Sequence, residues 1–263
     1  MTAKTLAAAV QPAALTAIST DSAGLDAGDV RVPVKDGSIA AYYAKPGGGK
    51  NLPIALLVHE IWSVHEYFRD LCRRLAKLGY LAVAPDLFGR QGDVTELGRD
   101  DIFPKVVSRV PDAQVMADLD AAASWAAANG GDIARFGATG FCWGGRIMWL
   151  YAAHSNRLKA GVAWYGKVEG APDELHPRHP IDVASDLQAP VLGLYGGADA
   201  GIPNDGVDRM SAALKAAGKP SQIHVYPDAP HAFHADYRPS YRKEAAEDGW
   251  RRMLDWFKRH GVA

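Results

Sequence analysis

A cysteine occupies the centre of the most informative stretch of this chain, the sequence GFCWGG at 140–145. In the serine form of this G-x-C-x-G turn, the nucleophile has a strained backbone at the top of a sheet, and the flanking glycines let a strand and a helix approach closely. The preceding run 133–139 is of strand type, and the following run 146–153 has helical composition. The pattern predicts that a Cys142 thiolate makes and breaks acyl bonds.

Two residues further along the chain have the types that would activate this thiol. Asp199 follows the apolar run 191–195 and a glycine pair, and His231 follows the run 222–226. An imidazole accepts the proton of a nucleophile, and a carboxylate orients that imidazole. The order cysteine, acid, histidine predicts that Asp199 and His231 act with Cys142 at the carboxyl ends of parallel strands. The alternatives for the acid are Asp205, Asp208 and Asp228.

Glu60 and Ile61 follow a further apolar run at 54–59. Where a nucleophile lies on such a strand-to-helix turn, two backbone amides bind the oxyanion of the reaction intermediate. One belongs to the residue after the nucleophile, and the other belongs to a loop that follows a neighbouring strand. The N–H groups of Ile61 and Trp143 are therefore the predicted oxyanion hole. A carboxylate near a thiol can take up its proton, so Glu60 is a candidate partner of Cys142. The alternative is that Glu60 is an exposed loop acid.

The elements that must position these residues alternate between strand and helix type. A hairpin is predicted from 30–34 and 39–44, followed by strands at 54–59, 80–84, 133–139, 160–165, 191–195 and 222–226. Helices are predicted at 65–78, 112–128, 145–154, 207–217 and 241–259. The segments 89–111 and 166–187 are expected to be lid loops. This alternation predicts an α/β fold with a mostly parallel central sheet and helices on both faces.

Length and composition indicate what the chain binds. Its 263 residues are 48% hydrophobic and carry a formal net charge of -1 at pH 7. They favour one domain at 29–263, preceded by an Ala-rich arm at 1–28. Near-neutral charge without a basic cluster argues against nucleic acid, and no apolar stretch is long enough for a membrane helix. We expect a soluble monomer or homodimer that acts on a small molecule.

The cysteine content bears on the cellular compartment. The chain contains only Cys72 and Cys142, which are too few for a disulfide framework, and a bridge between them would consume the predicted nucleophile. A reducing compartment, the cytoplasm, is therefore expected. The alternative is secretion, because Lys4 precedes an apolar run at 6–10 in the manner of a weak signal peptide.

Five motifs in order resemble the dienelactone hydrolase (carboxymethylenebutenolidase) family of the α/β-hydrolase superfamily. They are HEIW at 59–62, PDLFGR at 85–90, GFCWGG at 140–145, GGAD at 196–199 and HAF at 231–233. The resemblance implies an α/β-hydrolase fold and a catalytic triad of Cys142, Asp199 and His231, with Glu60 gating the thiol. It also implies an enzyme without metal or cofactor that hydrolyses a carboxylated enol-lactone to an oxo-diacid, maleylacetate.

The resemblance also concerns the substrate pocket. Arg90 matches a family arginine that holds the lactone carboxylate, and a guanidinium suits that task because it can bond both oxygens. A second arginine of the family pattern is replaced by Ala235, and the nearest substitute is Arg238. Weaker binding of an anionic lactone is therefore expected. Four aromatic residues could wall the pocket or pack in the core: Trp62, Phe88, Trp143 and Phe233.

Three other functions fit parts of the pattern. A carboxylesterase or thioesterase of the same mechanism would act on a less anionic ester. A metal enzyme could use the closely spaced pairs His176/His179 and His231/His234, although their spacing matches no standard zinc pattern. A non-catalytic binding or redox-sensing protein would use Cys142 as an exposed reactive thiol.

Overall fold

The computed structural model describes residues 17–263, which form an eight-stranded sheet and six α-helices. The strands are β1 (Leu25–Val34), β2 (Gly37–Pro46), β3 (Leu52–Val58), β4 (Leu81–Pro85), β5 (Gly131–Phe141), β6 (Ala160–Trp164), β7 (Val191–Gly196) and β8 (Gln222–Tyr226). The helices are α1 (Glu66–Lys77), α2 (Arg99–Lys105), α3 (Asp112–Ala128), α4 (Trp143–His154), α5 (Asn204–Ala216) and α6 (Lys243–Arg259).

The strand order of the sheet is β1-β2-β4-β3-β5-β6-β7-β8. β1 and β2 form an antiparallel hairpin, β2 also pairs antiparallel with β4, and the pairs from β4 through β8 are parallel. Parallel strands run in the same direction, so their carboxyl ends lie along one edge of the sheet. Cys142, Asp199 and His231 each follow a parallel strand, and the topology therefore brings them to that edge.

Helices cover the sheet and bury its middle strands. Every residue of β4 and β6 is buried, which explains why these strands are continuous apolar runs rather than alternating ones. α1 packs against β2 and β4, and α4 packs against β5 and β6. α4 is held in the core by Trp149, whose indole N–H donates to Tyr195 Oη over 3.0 Å. The helix that begins beside Cys142 is thus anchored by both packing and a buried hydrogen bond.

The predicted α/β fold with a mostly parallel sheet is confirmed. The bounds of α3 and β8 are the predicted ones, whereas β1 and β2 extend beyond the predicted hairpin. α2 was not expected within 89–111, because Pro104 lies inside this seven-residue helix and proline normally disfavours a helix interior. The segment 166–187 contains a 3₁₀ turn at Pro180–Val183.

The N-terminal region differs from the predicted arm at 1–28. β1 begins at Leu25, and the preceding residues contact α1: Thr20 N–H donates to Asp70 Oδ1 (2.5 Å), and the Thr20 carbonyl accepts from Arg73 Nε (2.6 Å). The stretch 1–16, with its signal-peptide-like run, lies outside the described residues. None of the helices between residues 17 and 263 is long and apolar enough to cross a bilayer.

Candidate active site

The turn at 140–145 has the strained geometry that its sequence predicts. Cys142 lies between β5 and α4 with φ 56° and ψ -114°, a conformation that residues with side chains rarely adopt. A Cβ at Gly140 would overlap the Gly144 carbonyl oxygen, and a Cβ at Gly144 would overlap the Val58 carbonyl oxygen. The close approach of strand and helix therefore requires glycine at both positions, and the turn presents the thiol at the sheet edge.

Cys142, His231 and Asp199 form a continuous line of polar contacts. His231 Nε2 lies 3.2 Å from Cys142 Sγ, and His231 Nδ1 lies 2.7 Å from Asp199 Oδ2. The second carboxylate oxygen of Asp199 accepts the backbone N–H of Gly201 over 2.8 Å, which fixes the orientation of the carboxylate. The structure thus brings the three predicted triad residues together in the spatial order nucleophile, base and orienting acid.

The electrostatics of this line favour a charged imidazole. Burial of His231 opposes its ionisation, but the hydrogen bonds with Asp199 and Cys142 raise the pKa of His231 to about 10. A protonated His231 is the charge partner that a thiolate at Cys142 requires. The ring of Tyr165 packs edge-on against His231, with 5.2 Å between ring centroids, and shields one side of the imidazole.

The three alternative acids lie elsewhere. Asp205 pairs with Arg209 over 2.9 Å, and Asp208 and Asp228 are exposed. The carboxylate that reaches His231 Nδ1 is that of Asp199.

The predicted oxyanion amides lie beside the nucleophile. Ile61 and Trp143 both line the same cavity as Cys142. Within the described chain, neither backbone N–H donates a hydrogen bond. Trp143 is the first residue of α4, where N–H groups have no partner in the helix and the helix dipole adds positive potential. Two free amides next to a thiol are the donors that a tetrahedral oxyanion needs.

Glu60 is not the exposed loop acid of the alternative interpretation, because its carboxylate is buried. It accepts hydrogen bonds from Tyr237 Oη, from His65 Nε2 (3.3 Å) and from Arg238 (3.5 Å). Burial alone would favour the neutral acid, but the charge of Arg238 and the His65 hydrogen bond lower the pKa of Glu60 to about 2. Among the residues described, its hydrogen-bond partners do not include the Cys142 thiol, so the gating contact implied by the resemblance is not formed.

A cavity of about 780 Å³ opens at Cys142. This volume is in the range of pockets that hold small molecules. Both predicted lid segments contribute to its walls, 89–111 through Phe103 and 166–187 through several residues including Lys167. Tyr165, which directly precedes the segment 166–187, has a positive φ of 38° and also lines the cavity.

Several lining residues were not singled out in the sequence, notably Phe103, Arg146, Tyr165 and Lys167. Tyr165 and Lys167 follow the carboxyl end of β6, so the rule that located Asp199 and His231 also applies to them. Phe103 had no such signal, because it belongs to the unpredicted helix α2.

Arg90 does not contact this cavity. Its guanidinium donates to Asp118, a buried carboxylate of α3, and to Asp36 in the β1–β2 turn over 3.0 Å. These two carboxylates hold the guanidinium, and Arg90 is not among the residues that line the cavity at Cys142. Arg238, the nearest substitute for the second arginine, pairs instead with Glu60. The expectation that Arg90 holds a substrate carboxylate is therefore wrong for this structure.

The predicted aromatic wall also needs correction. Trp62 and Phe88 are buried and line a second cavity of about 460 Å³. Phe233 is fully buried and packs against Tyr165, with 5.3 Å between ring centroids. Of the four candidates, Trp143 lines the cavity at Cys142, whereas the other three have the alternative role of core residues.

The histidine pairs considered as metal ligands have partners within the protein. His176 Nδ1 contacts Asp173 (2.9 Å), His179 Nδ1 accepts from Arg146 (3.3 Å), and His234 Nδ1 accepts from Tyr67 Oη (2.5 Å). Between residues 17 and 263, no group of three or more His, Cys, Asp or Glu side chains could hold a metal ion.

Comparison with known proteins agrees with this geometry. A family model described as the dienelactone hydrolase family matches residues 39–261. The chain is 60% identical over 260 residues to a "Putative carboxymethylenebutenolidase" of Methylorubrum extorquens, covering 98% of this chain and 89% of that protein. A protein of the same name from Escherichia coli K12 is 52% identical over 257 residues, with 97% and 95% covered.

A solved structure gives the same result. The crystal structure of a "Putative Dienelactone Hydrolase" from Klebsiella pneumoniae superimposes with a TM-score of 0.87 at 56% sequence identity, covering 89% of this chain and 99% of that one. The sheet order and the cysteine turn at its carboxyl edge define an α/β-hydrolase fold. With these relatives and the family match, the chain belongs to the dienelactone hydrolase family.

Proposed function

We propose that this protein is a cysteine-dependent hydrolase that opens a carboxylated enol-lactone to an oxo-diacid through a thioester. The observation that carries the proposal is the line from Asp199 through His231 to Cys142, with contacts of 2.7 Å and 3.2 Å at a strained strand-to-helix turn. Membership of the dienelactone hydrolase family and the names of the relatives support the substrate class.

In the first half of the proposed reaction, Cys142 Sγ attacks the ester carbonyl carbon. The carbonyl oxygen becomes an oxyanion that accepts the N–H groups of Ile61 and Trp143. Collapse breaks the ester C–O bond and leaves a thioester on Cys142. The departing oxygen leaves as a stabilised enolate, and protonation of this enolate by His231 gives the enol and a neutral imidazole. Because this leaving group is stable, a thiolate suffices as nucleophile.

In the second half, neutral His231 accepts a proton from water, and the resulting hydroxide attacks the thioester carbonyl. The same two amides hold the second oxyanion. Breaking the C–S bond releases the product as a carboxylic acid, which loses its proton to solvent, and restores the thiolate beside a protonated His231. Asp199 orients the imidazole throughout and stabilises its charge. The proposed reaction uses side chains, backbone amides and water. A free thiol nucleophile is suited to a reducing compartment, and we propose that the protein acts in the cytoplasm.

The test is the initial rate of ring opening of a carboxylated dienelactone, followed by ultraviolet absorbance, for the wild type and Cys142→Ala. We expect rapid opening that is abolished in the variant, and weak activity on activated esters in Cys142→Ser. Full activity of a folded Cys142→Ala variant would refute the nucleophile. A folded wild type that does not open the lactone would refute the substrate assignment.

A second candidate is a carboxylesterase of the same mechanism acting on a larger and less anionic ester. Two observations favour it: the cavity of about 780 Å³ has Phe103, Val107 and Ile202 among its lining residues, and Arg90 is engaged outside it. A chain-length series of 4-nitrophenyl esters tests this candidate. It predicts that kcat/KM increases with acyl length, whereas the enol-lactone proposal predicts that the dienelactone is the better substrate.

A further inference from the structure

Most of the ionisable side chains around the cavity are paired with a neighbouring side chain. Arg146 makes a two-pronged pair with Asp112, with both contacts at 2.7 Å. Glu169 pairs with Arg209 over 2.5 Å. Asp173 pairs with His176 over 2.9 Å, and Asp199 pairs with His231 over 2.7 Å. Each of these groups is thus already engaged by a partner within the protein.

Lys167 is the exception. It lines the cavity and is exposed, and within residues 17–263 its ammonium has no hydrogen bond or ion pair. The same cavity contains Cys142, so a molecule bound at the thiol has access to this charge. A compact ammonium with three donors is a good partner for a carboxylate oxygen.

The backbone that carries Lys167 is fixed against the nucleophile turn. Cys142 N–H donates to the Trp164 carbonyl over 3.0 Å, at the end of β6. Gly166 lies so close to the start of α4 that a Cβ there would overlap Gly145. The attachment point of Lys167 is therefore set relative to the thiol, while its flexible side chain can adjust to the ligand.

We infer that Lys167 is a specificity-determining residue that binds a carboxylate of the substrate, so that the cavity selects esters carrying one negative charge. This inference rests on the proposed hydrolysis at Cys142 and adds to it the residue that binds the substrate carboxylate. Neither Arg90 nor Arg238 is among the residues that line the cavity, and both are already paired with carboxylates.

The test compares two esters with acyl chains of equal length, mono-4-nitrophenyl adipate and 4-nitrophenyl hexanoate, which differ in a terminal carboxylate. We expect Lys167→Met to lower kcat/KM for the adipate about tenfold, through KM, and to leave the hexanoate unchanged. Lys167→Arg should retain the preference. In the wild type, added salt should raise KM for the adipate, and Lys167→Met should abolish that dependence. Lys215→Met, at an exposed position of α5 outside the cavity lining, is the matched control.

The outcomes separate this inference from the proposed function. If Lys167→Met changes both esters equally, or neither, the carboxylate contact is refuted while hydrolysis at Cys142 stands. A wild type that hydrolyses the hexanoate but not the adipate would refute the contact in the same way. If the folded wild type hydrolyses neither these esters nor the dienelactone, the proposed function fails and the inference fails with it.

Discussion

The proton on His231 is controlled by the carboxylate of Asp199. Hydrogen bonding to Asp199 is the largest of the effects that raise the pKa of His231 to about 10, against the opposing effect of burial. The imidazolium of His231 therefore persists through neutral pH and is lost as the pH rises towards 10. A neutral amide at this position would still accept a hydrogen bond but would not stabilise the charge.

Asp199→Asn should therefore move the alkaline limb of kcat/KM to lower pH and reduce the maximal rate roughly 100-fold or more. The measurement is a pH profile of kcat/KM on an activated ester, because that parameter reports the free enzyme. Asp208→Asn, at an exposed site on α5, is the control and should keep the wild-type profile. An Asp199→Asn profile with an unmoved alkaline limb would contradict the assignment of Asp199.

A second prediction at the residue scale concerns Gly140. An added Cβ would overlap the Gly144 carbonyl oxygen, which belongs to a backbone that cannot move aside. Gly140→Ala should lower the free energy of unfolding by about 1–3 kcal/mol and impair turnover by displacing the thiol. Urea denaturation measures the first effect. Gly28→Ala is the control, because a Cβ on Gly28 meets no atom within 4 Å, and a comparable loss there would contradict the steric argument.

At the scale of elements, a buried ion pair connects the wall of the cavity to two helices. Asp112 begins α3, and its carboxylate pairs with Arg146 of α4 over 2.7 Å. Its backbone N–H donates to the Leu175 carbonyl over 3.0 Å, and Arg146 also donates to the Arg178 carbonyl over 3.0 Å. The segment 166–187 is thus tied to α3 and α4 through this pair.

Asp112→Asn should cost about 3 kcal/mol of unfolding free energy, because it leaves the Arg146 charge buried without a counter-charge. It should also raise KM, since the cavity wall loses an anchor. Chemical denaturation and steady-state kinetics measure the two effects. Asp205→Asn removes an exposed pair with Arg209, which solvent screens, and should lower the unfolding free energy far less. Equal losses in the two variants would show that burial of the pair does not matter.

Elements also explain which parts of the site the sequence could predict. Cys142, Asp199 and His231 follow strand ends, and a parallel sheet necessarily gathers strand ends at one edge, so their proximity was predictable. The direction of Arg90 was not, because it depends on Asp118, a buried carboxylate from a helix remote in sequence. Helix α2 was not predictable from its sequence, because it contains Pro104 and proline normally disfavours the interior of a helix. The free charge of Lys167 became apparent from the pairing of its neighbours in space.

At the scale of the whole molecule, burial of neutral histidines links stability to pH. His234 is buried and accepts from Tyr67 Oη, and burial together with the nearby Arg74 charge lowers the pKa of His234 to about 3. In the unfolded chain the imidazole has a pKa of about 6.5. The contribution of neutral His234 to the free energy of unfolding is therefore complete above pH 6.5 and is lost as the pH falls towards 3. His231, whose pKa is raised, has the opposite sign and stabilises most below pH 6.5.

His234→Gln should flatten the dependence of the unfolding free energy on pH between about 6.5 and 4, even though the variant is less stable at neutral pH. Urea denaturation across this range measures the slope. Above pH 7 the variant and the wild type should have parallel curves. An unchanged acid slope in His234→Gln would show that this histidine is not the buried neutral group that the structure indicates.

The central claim, that Cys142 is the nucleophile, can be tested on the wild-type protein because its two cysteines have different environments. Cys72 is fully buried and burial raises the pKa of its thiol, whereas Cys142 is half-buried and lines the cavity. The measurement is the loss of hydrolytic rate during alkylation with iodoacetamide, with the adduct located by peptide mass spectrometry. We predict one adduct, on Cys142, and a residual rate equal to the unmodified fraction. Full alkylation of Cys142 with an unchanged rate would contradict the mechanism.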